Sequence, residues 1–141
     1  YDLIRMAKFV LIYNSTIGLE ASILGAAVLS AGKARFTASD VAWLPKTKAA
    51  YQAQLDSLLD AESVAVPAHF KQNARRFLYW QLYRSSLGFE DFLKPDGVWA
   101  GYVTLNNFPW QALLPESSAT LQTIHDGILH GGDFMLKEDP Q

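Results

Sequence analysis

Cysteine is absent from all 141 residues. That excludes disulfides, thiolate zinc ligands and a cysteine nucleophile, and leaves the compartment open. Charge is scarce too: 18% of residues are charged and the net charge is -2. Nucleic acids and anionic membranes usually require a basic surface, so no nucleic-acid partner is expected. The one basic cluster, KQNARR at 71–76 with Arg84 beyond it, is balanced by acids elsewhere. Catalytic signatures are also missing. There is no G-x-S-x-G and no dinucleotide fingerprint, and Gly32-Lys33 lacks the spacing and Ser/Thr of a phosphate loop. Glu90 and Asp91 are neighbours, which on a helical turn point about 100° apart and make a poor acid–base pair. No cofactor is expected, and catalysis finds no support in these residues.

What is present is apolar and aromatic: 50% of residues are hydrophobic and 13% are Phe, Trp or Tyr. With no linker, repeat or low-complexity tract, residues 1–141 read as a single domain. The least polar stretch, FVLIYNSTIGLEASILGAAVLSAG at 9–32, has the length of a membrane span. Asn14 and Glu20 near its centre oppose insertion, the carboxylate by a few kcal/mol. Steps of three and four pick out Leu3, Met6, Val10, Tyr13, Ile17, Glu20, Leu24, Ala27 and Ala31. Arg5, Lys8, Ser15, Thr16, Ser22 and Ser30 fall opposite. This pattern predicts a long bundle helix over 2–31, closed by Gly32, with Glu20 facing inward. Membrane association stays open. Asn14-Ser15-Thr16 matches a glycosylation acceptor, but a place in an apolar helix argues against its use.

A second helix is expected from Pro45 to Asp60 on the seam Leu44, Tyr51, Leu55, Leu58 and Leu59, and a third from about Pro67 to Leu87. In the third, Phe70, Ala74, Phe77, Leu78 and Trp80 share the inner face with Asn73, Gln81 and Arg84. Arg76, Tyr79 and Tyr83 face outward as a protein-contact strip, suited to a protein partner or a homodimer. Ser117 or Ser118 caps a last helix ending at His130 before Gly131 and Gly132, and His125 lies in its apolar stripe. Between these, residues 95–115 form an aromatic-rich irregular excursion. Within it YVTL reads as a short strand without an identifiable partner. The tail KEDPQ reads as solvated.

The expected fold is therefore an all-α bundle of about four helices, with the excursion capping one end. Glu20, Asn73, Gln81, Arg84 and His125 lie on inward faces, with Trp99 and Trp110 as a lid. Buried polar groups need partners, so this set is either a structural network, with Arg84 pairing Glu20, or a pocket for a small polar or anionic ligand. His125 and His130 are five apart, which does not put both on one helix face, so no metal site is expected. The first 60 positions, an Ala/Gly-rich helix followed by an amphipathic one, resemble extracytoplasmic helical-bundle sensor domains. That resemblance favours an extracytoplasmic or organellar setting. The readings carried forward are a non-catalytic ligand-binding or sensory domain, an accessory subunit of a larger, membrane-associated assembly, and a small enzyme using the interior Glu/His/Arg set.

Overall fold

A computed structural model describes residues 1–135; the KEDPQ tail lies outside the described residues. The architecture is mixed α/β rather than an all-α bundle. The expected opening helix is broken into α1 (Asp2–Met6), β1 (Val10–Ile12), α2 (Ile17–Leu24) and β2 (Val28–Ser30). Strands β1 and β2 pair in parallel, Val10 against Val28 and Ile12 against Ser30, with α2 as the crossover between them. A continuous apolar run is what a parallel strand buried on both faces looks like, and periodicity alone does not separate it from a buried helix. The breaks have local causes. Ser15 Oγ accepts the Ile17 N–H at 3.4 Å, a local alternative to helical hydrogen bonding. Gly25, at φ 89°, takes the left-handed position that ends α2. With helices this short the resemblance to helical-bundle sensors loses its basis. No helix among the described residues is long and apolar enough to cross a membrane.

The chain divides into two compact units, Tyr1–Tyr79 and Trp80–Gln141. In the first, β2 is the central element. Val28, Leu29 and Ser30 are fully buried, and Trp43 bridges the outer side of β2: Ser30 N–H donates to Trp43 O at 2.9 Å and Trp43 N–H to Val28 O at 3.0 Å. Ile4, Ile12, Leu19, Ala21, Phe36, Val41 and Ala74 complete the core. Burying each large aliphatic side chain contributes about 1.5–3 kcal/mol. Gly18 is dictated by packing: a Cβ there would run into the Ile12 side chain and come within 3.1 Å of Phe36. Two buried hydroxyls are satisfied. Ser22 Oγ lies 2.8 Å from Val41 O and 2.9 Å from Gly18 O, and Ser30 Oγ lies 2.7 Å from Gly32 O and 3.0 Å from Tyr13 O.

Helix α3 (Lys48–Asp60) starts three residues past Pro45, where Thr47 Oγ1 accepts the Ala50 N–H at 3.1 Å. Of its expected seam, Leu58 is buried and Leu59 is exposed. Helix α4 (Ala68–Tyr83) buries Phe70 and Ala74 as expected. Phe70 stacks edge-on against Trp43 and Phe77 against Phe36.

The second unit holds β3 (Leu93–Pro95), β4 (Val103–Leu105) and α5 (Ala119–His130). The strand expected in YVTL exists, and its partner is Leu93–Pro95 in an antiparallel pair. That partner is obscure in sequence because its last residue is a proline, tolerated only at a strand end or edge. The connection is built by Asp96, whose Oδ1 accepts the N–H groups of Val98 (2.7 Å) and Trp99 (2.9 Å). These two backbone donors, Trp99 first, hold its carboxyl below the usual carboxylate range. Residues 95–115 are therefore a hairpin arm and two short 3-10 turns (Trp110–Leu113 and Pro115–Ser117), not a cap on a bundle. Phe92 is buried here, packed edge-on against Phe108 at 5.3 Å. Helix α5 begins and ends where expected, with Ser118 accepting the Leu121 N–H and Gly131 at φ 67°.

Candidate functional site

The seven side chains expected to line one interior belong to both units. Glu20, in the first turn of α2, is half-buried, and its partner is the Tyr1 hydroxyl at 2.6 Å, not Arg84. That hydrogen bond, reinforced by the carboxylate's charge, pushes the Tyr1 hydroxyl above its ordinary pKa. Asn73 donates through Nδ2 to Asp40 O at 3.2 Å. Asp40 is the one non-glycine residue at positive φ among those described (51°), and its carboxylate also lies 2.9 Å from His69 Nε2. Asn73 and His69, four apart on α4, thus brace a left-handed residue that its short polar side chain makes tolerable. Gln81 and Arg84 are half-buried near the end of α4, and the Gln81 carbonyl accepts from Ser86 Oγ at 2.7 Å. Trp99 and Trp110 are both 67% exposed, so neither closes over an interior. Arg76, Tyr79 and Tyr83 are exposed on α4.

Three other places gather polar chemistry. The first is the carboxyl end of the parallel pair. A crossover βαβ unit brings the loop after its first strand, the N-terminus of its helix and the end of its second strand to one edge. Here the loop is Tyr13-Asn14-Ser15-Thr16, the helix is α2, and Gly32 N–H donates to Tyr13 O at 2.7 Å. A Cβ at Gly32 would meet that carbonyl at 2.7 Å, so only glycine lets the two strand ends approach this closely. Ser30 ties the same carbonyl from beneath. Ser15 Oγ accepts the Ile17 N–H at 3.4 Å, and the first helical N–H groups fold back onto Ser15 O and Thr16 O. The backbone N–H groups of Ser15 and Thr16, and the side chains of Asn14 and Thr16, have no hydrogen-bond partner among the described residues. Lys33 follows directly on Gly32 and is exposed. In the sequence these residues do not stand out as a site, because Ser15 and Thr16 fit the polar stripe of a long helix. The signal that marks them is a Ser/Thr/Asn cluster between a β-branched run and a helical one.

The second is a cavity of about 290 Å³ at the opposite, amino-terminal end of β1 and β2. It is lined by Ile4, Arg5, Lys8, Leu24, Val64 and Val66 among others. Both of its cations are already engaged: Lys8 Nζ donates to Leu59 O at 2.7 Å, and Arg5 pairs with Asp2 at 3.1 Å.

The third is the end of α5. His125 Nδ1 lies 3.3 Å from Asp126 Oδ1, and the rings of His125 and His130 stand 5.5 Å apart. Gln122 Nε2 donates to Asp126 Oδ1 at 2.7 Å. That donor, and then His125, lower the Asp126 pKa. The two rings meet although a spacing of five sets the residues on different faces of a regular helix, and His130 is the last residue of α5.

No protein-family model, no curated protein and no solved structure matches the chain.

Proposed function

We propose that the first unit is a non-catalytic ligand-binding domain for a small anionic molecule bearing a phosphate or carboxylate. The anion would sit at the carboxyl end of β1 and β2. The observation that carries the proposal is the parallel β1–α2–β2 unit, with unpartnered Ser15 and Thr16 N–H groups where its first strand meets its helix. Ligands of open α/β sheets bind outside the carboxyl ends of the strands. The N-terminus of a helix favours negative charge there through its oriented N–H groups and its dipole. Thr16 Oγ1 and the Asn14 amide would add donors, and Lys33 a compensating charge. The small polar or anionic ligand expected from the sequence is narrowed here to an anion, and its proposed place moves from a bundle interior to a sheet edge.

Amide NMR with inorganic phosphate and pyrophosphate tests this. The expected result is a saturable shift of the Ser15, Thr16 and Ile17 amides, together with a rise in melting temperature, since a ligand that binds only the folded state must stabilise it. Thr16→Val should weaken binding without unfolding the chain, because the Thr16 hydroxyl caps no N–H. Amides near Arg5 and Lys8 responding in their place, or no response at either end, would sink the proposal.

A second reading, contact with a protein partner or a second copy of the chain, is favoured by the exposure of Tyr79 (60%) and Tyr83 (63%) on α4. Loss of self-association in Tyr79→Ser/Tyr83→Ser, followed by sedimentation, would support it, and a wild-type chain that sediments as a monomer without binding partners would remove it.

A further inference from the structure

We propose that His125, Asp126 and His130 form a binding site for one divalent transition-metal ion of the zinc, nickel or copper class, probed below with zinc. One candidate ligand atom from each residue lies within 4.8 Å of the other two. Tetrahedral zinc, with bonds of about 2.0–2.2 Å to imidazole nitrogen and carboxylate oxygen, needs its ligand atoms roughly 3.5 Å apart. The His125 Nδ1 to Asp126 Oδ1 distance of 3.3 Å already meets that spacing. The remaining closure is a side-chain rotation of His130, which is exposed and free to make it.

Three features of the same helix end favour a cation there. The C-terminal end of α5 carries the negative pole of the helix dipole. Gln122 holds the Asp126 carboxylate by a 2.7 Å hydrogen bond, the kind of outer contact that orients metal-binding carboxylates. The backbone beneath is fixed as well: Gly131 takes the left-handed position, and Gly132 N–H returns to Asp126 O at 3.1 Å. Two imidazoles and one carboxylate suit zinc, nickel or copper. Calcium and magnesium call for oxygen ligands throughout. Three protein ligands leave a fourth position for water.

Calorimetric titration of the EDTA-treated full chain with Zn²⁺ should show one ion per chain. Co²⁺ substituted in its place should give the visible absorption of a low-symmetry site. His125→Ala and His130→Ala should each weaken Zn²⁺ by well over tenfold, and Gln122→Ala by about tenfold. His69→Ala, which removes the other His–Asp pair, should change nothing. Imidazole ¹⁵N resonances of the unsubstituted chain give the same answer without relying on variants: His125 and His130 should shift on Zn²⁺ addition and His69 should not. The proposal is overturned if the wild-type chain takes up no Zn²⁺, if the His125→Ala/His130→Ala double variant binds it equally, or if only His69 responds.

Discussion

The two compact units contrast in how deeply they bury their side chains. In Tyr1–Tyr79, β2 is covered completely and its neighbours form a continuous core. In Trp80–Gln141, Phe92 and Thr120 are the buried residues among those described, while Val103, Leu105, Trp99 and Trp110 on the hairpin and its flank are more than half exposed. Both units contain a two-stranded sheet. A parallel pair needs cover on both faces, whereas an antiparallel hairpin can leave one or both to solvent. Stability in the first unit therefore rests on apolar burial. In the second, shallow burial is supplemented by hydrogen bonds such as those of Asp96, and from Asn106 Nδ2 to Glu90 O and Asp91 O.

The largest test of this contrast is Leu29→Ala against Leu105→Ala. Leu29 is fully buried, and its truncation should cost about 4 kcal/mol. Leu105 is 71% exposed and should cost no more than about 0.5 kcal/mol. Urea unfolding read by circular dichroism checks both, and equal losses would remove the distinction. Next in size is Phe92→Ala, expected to cost about 3 kcal/mol. Hydrogen exchange should then speed at the β3 and β4 amides and leave Val28 to Ser30 protected; uniform acceleration would mean that the units do not respond separately. Smaller again are the buried hydroxyls. Ser22→Ala releases Val41 O, and Thr120→Val releases Gly88 O, which the Thr120 hydroxyl reaches at 2.7 Å. Each should lower stability by about 1 kcal/mol, so that polar anchors, unlike apolar ones, count equally in the two units.

The smallest effect is the pH dependence read at the hairpin connection. The Asp96 pKa is lowered in the folded chain, so its contribution is complete above the unfolded value of about 3.9. The contribution is lost as pH falls through the lower folded value. Between neutral pH and about pH 5 the Val98 and Trp99 amide shifts should hold steady, moving only in acid below the ordinary carboxylate range. In Asp96→Asn that acid-induced movement should vanish.

The start of α4 and both ends of α5 were legible in sequence because their signals are local, whereas α4 stops at Tyr83, short of the expected Leu87. Pro67, Ser118 and Gly131 act through their own φ and hydrogen bonds, whatever surrounds them. The first thirty residues were not. Val10, Leu11, Ile12, Val28 and Leu29 are strand residues only because each has a partner elsewhere in the chain, and an apolar run read alone fits helical spacing as well. Glu20 shows the cost of that ambiguity. Once the helix around it shortens to Ile17–Leu24, the acid moves from a supposed core to a half-buried contact with Tyr1. Asn73 fell on the predicted face, but its partner, a left-handed Asp40, has no signature in the sequence. The polar run Asn14-Ser15-Thr16 was visible, and its meaning depended wholly on a strand preceding it.

The register of the two sheets also bears on the order in which they form. Hairpin partners lie close in the chain, Pro95 against Val103 and Leu93 against Leu105, while Val10 must find Val28 with a helix between them. Closing the longer loop costs more entropy before any contact repays it, and hairpins of this kind close within microseconds. The exposed, lightly anchored sheet is thus expected to assemble first and the fully buried one last. Pulse-labelled exchange during refolding reads that order directly, and protection of the Leu29 amide ahead of the Asn106 amide, which donates to Phe92 O at 2.8 Å beside the hairpin, would reverse it.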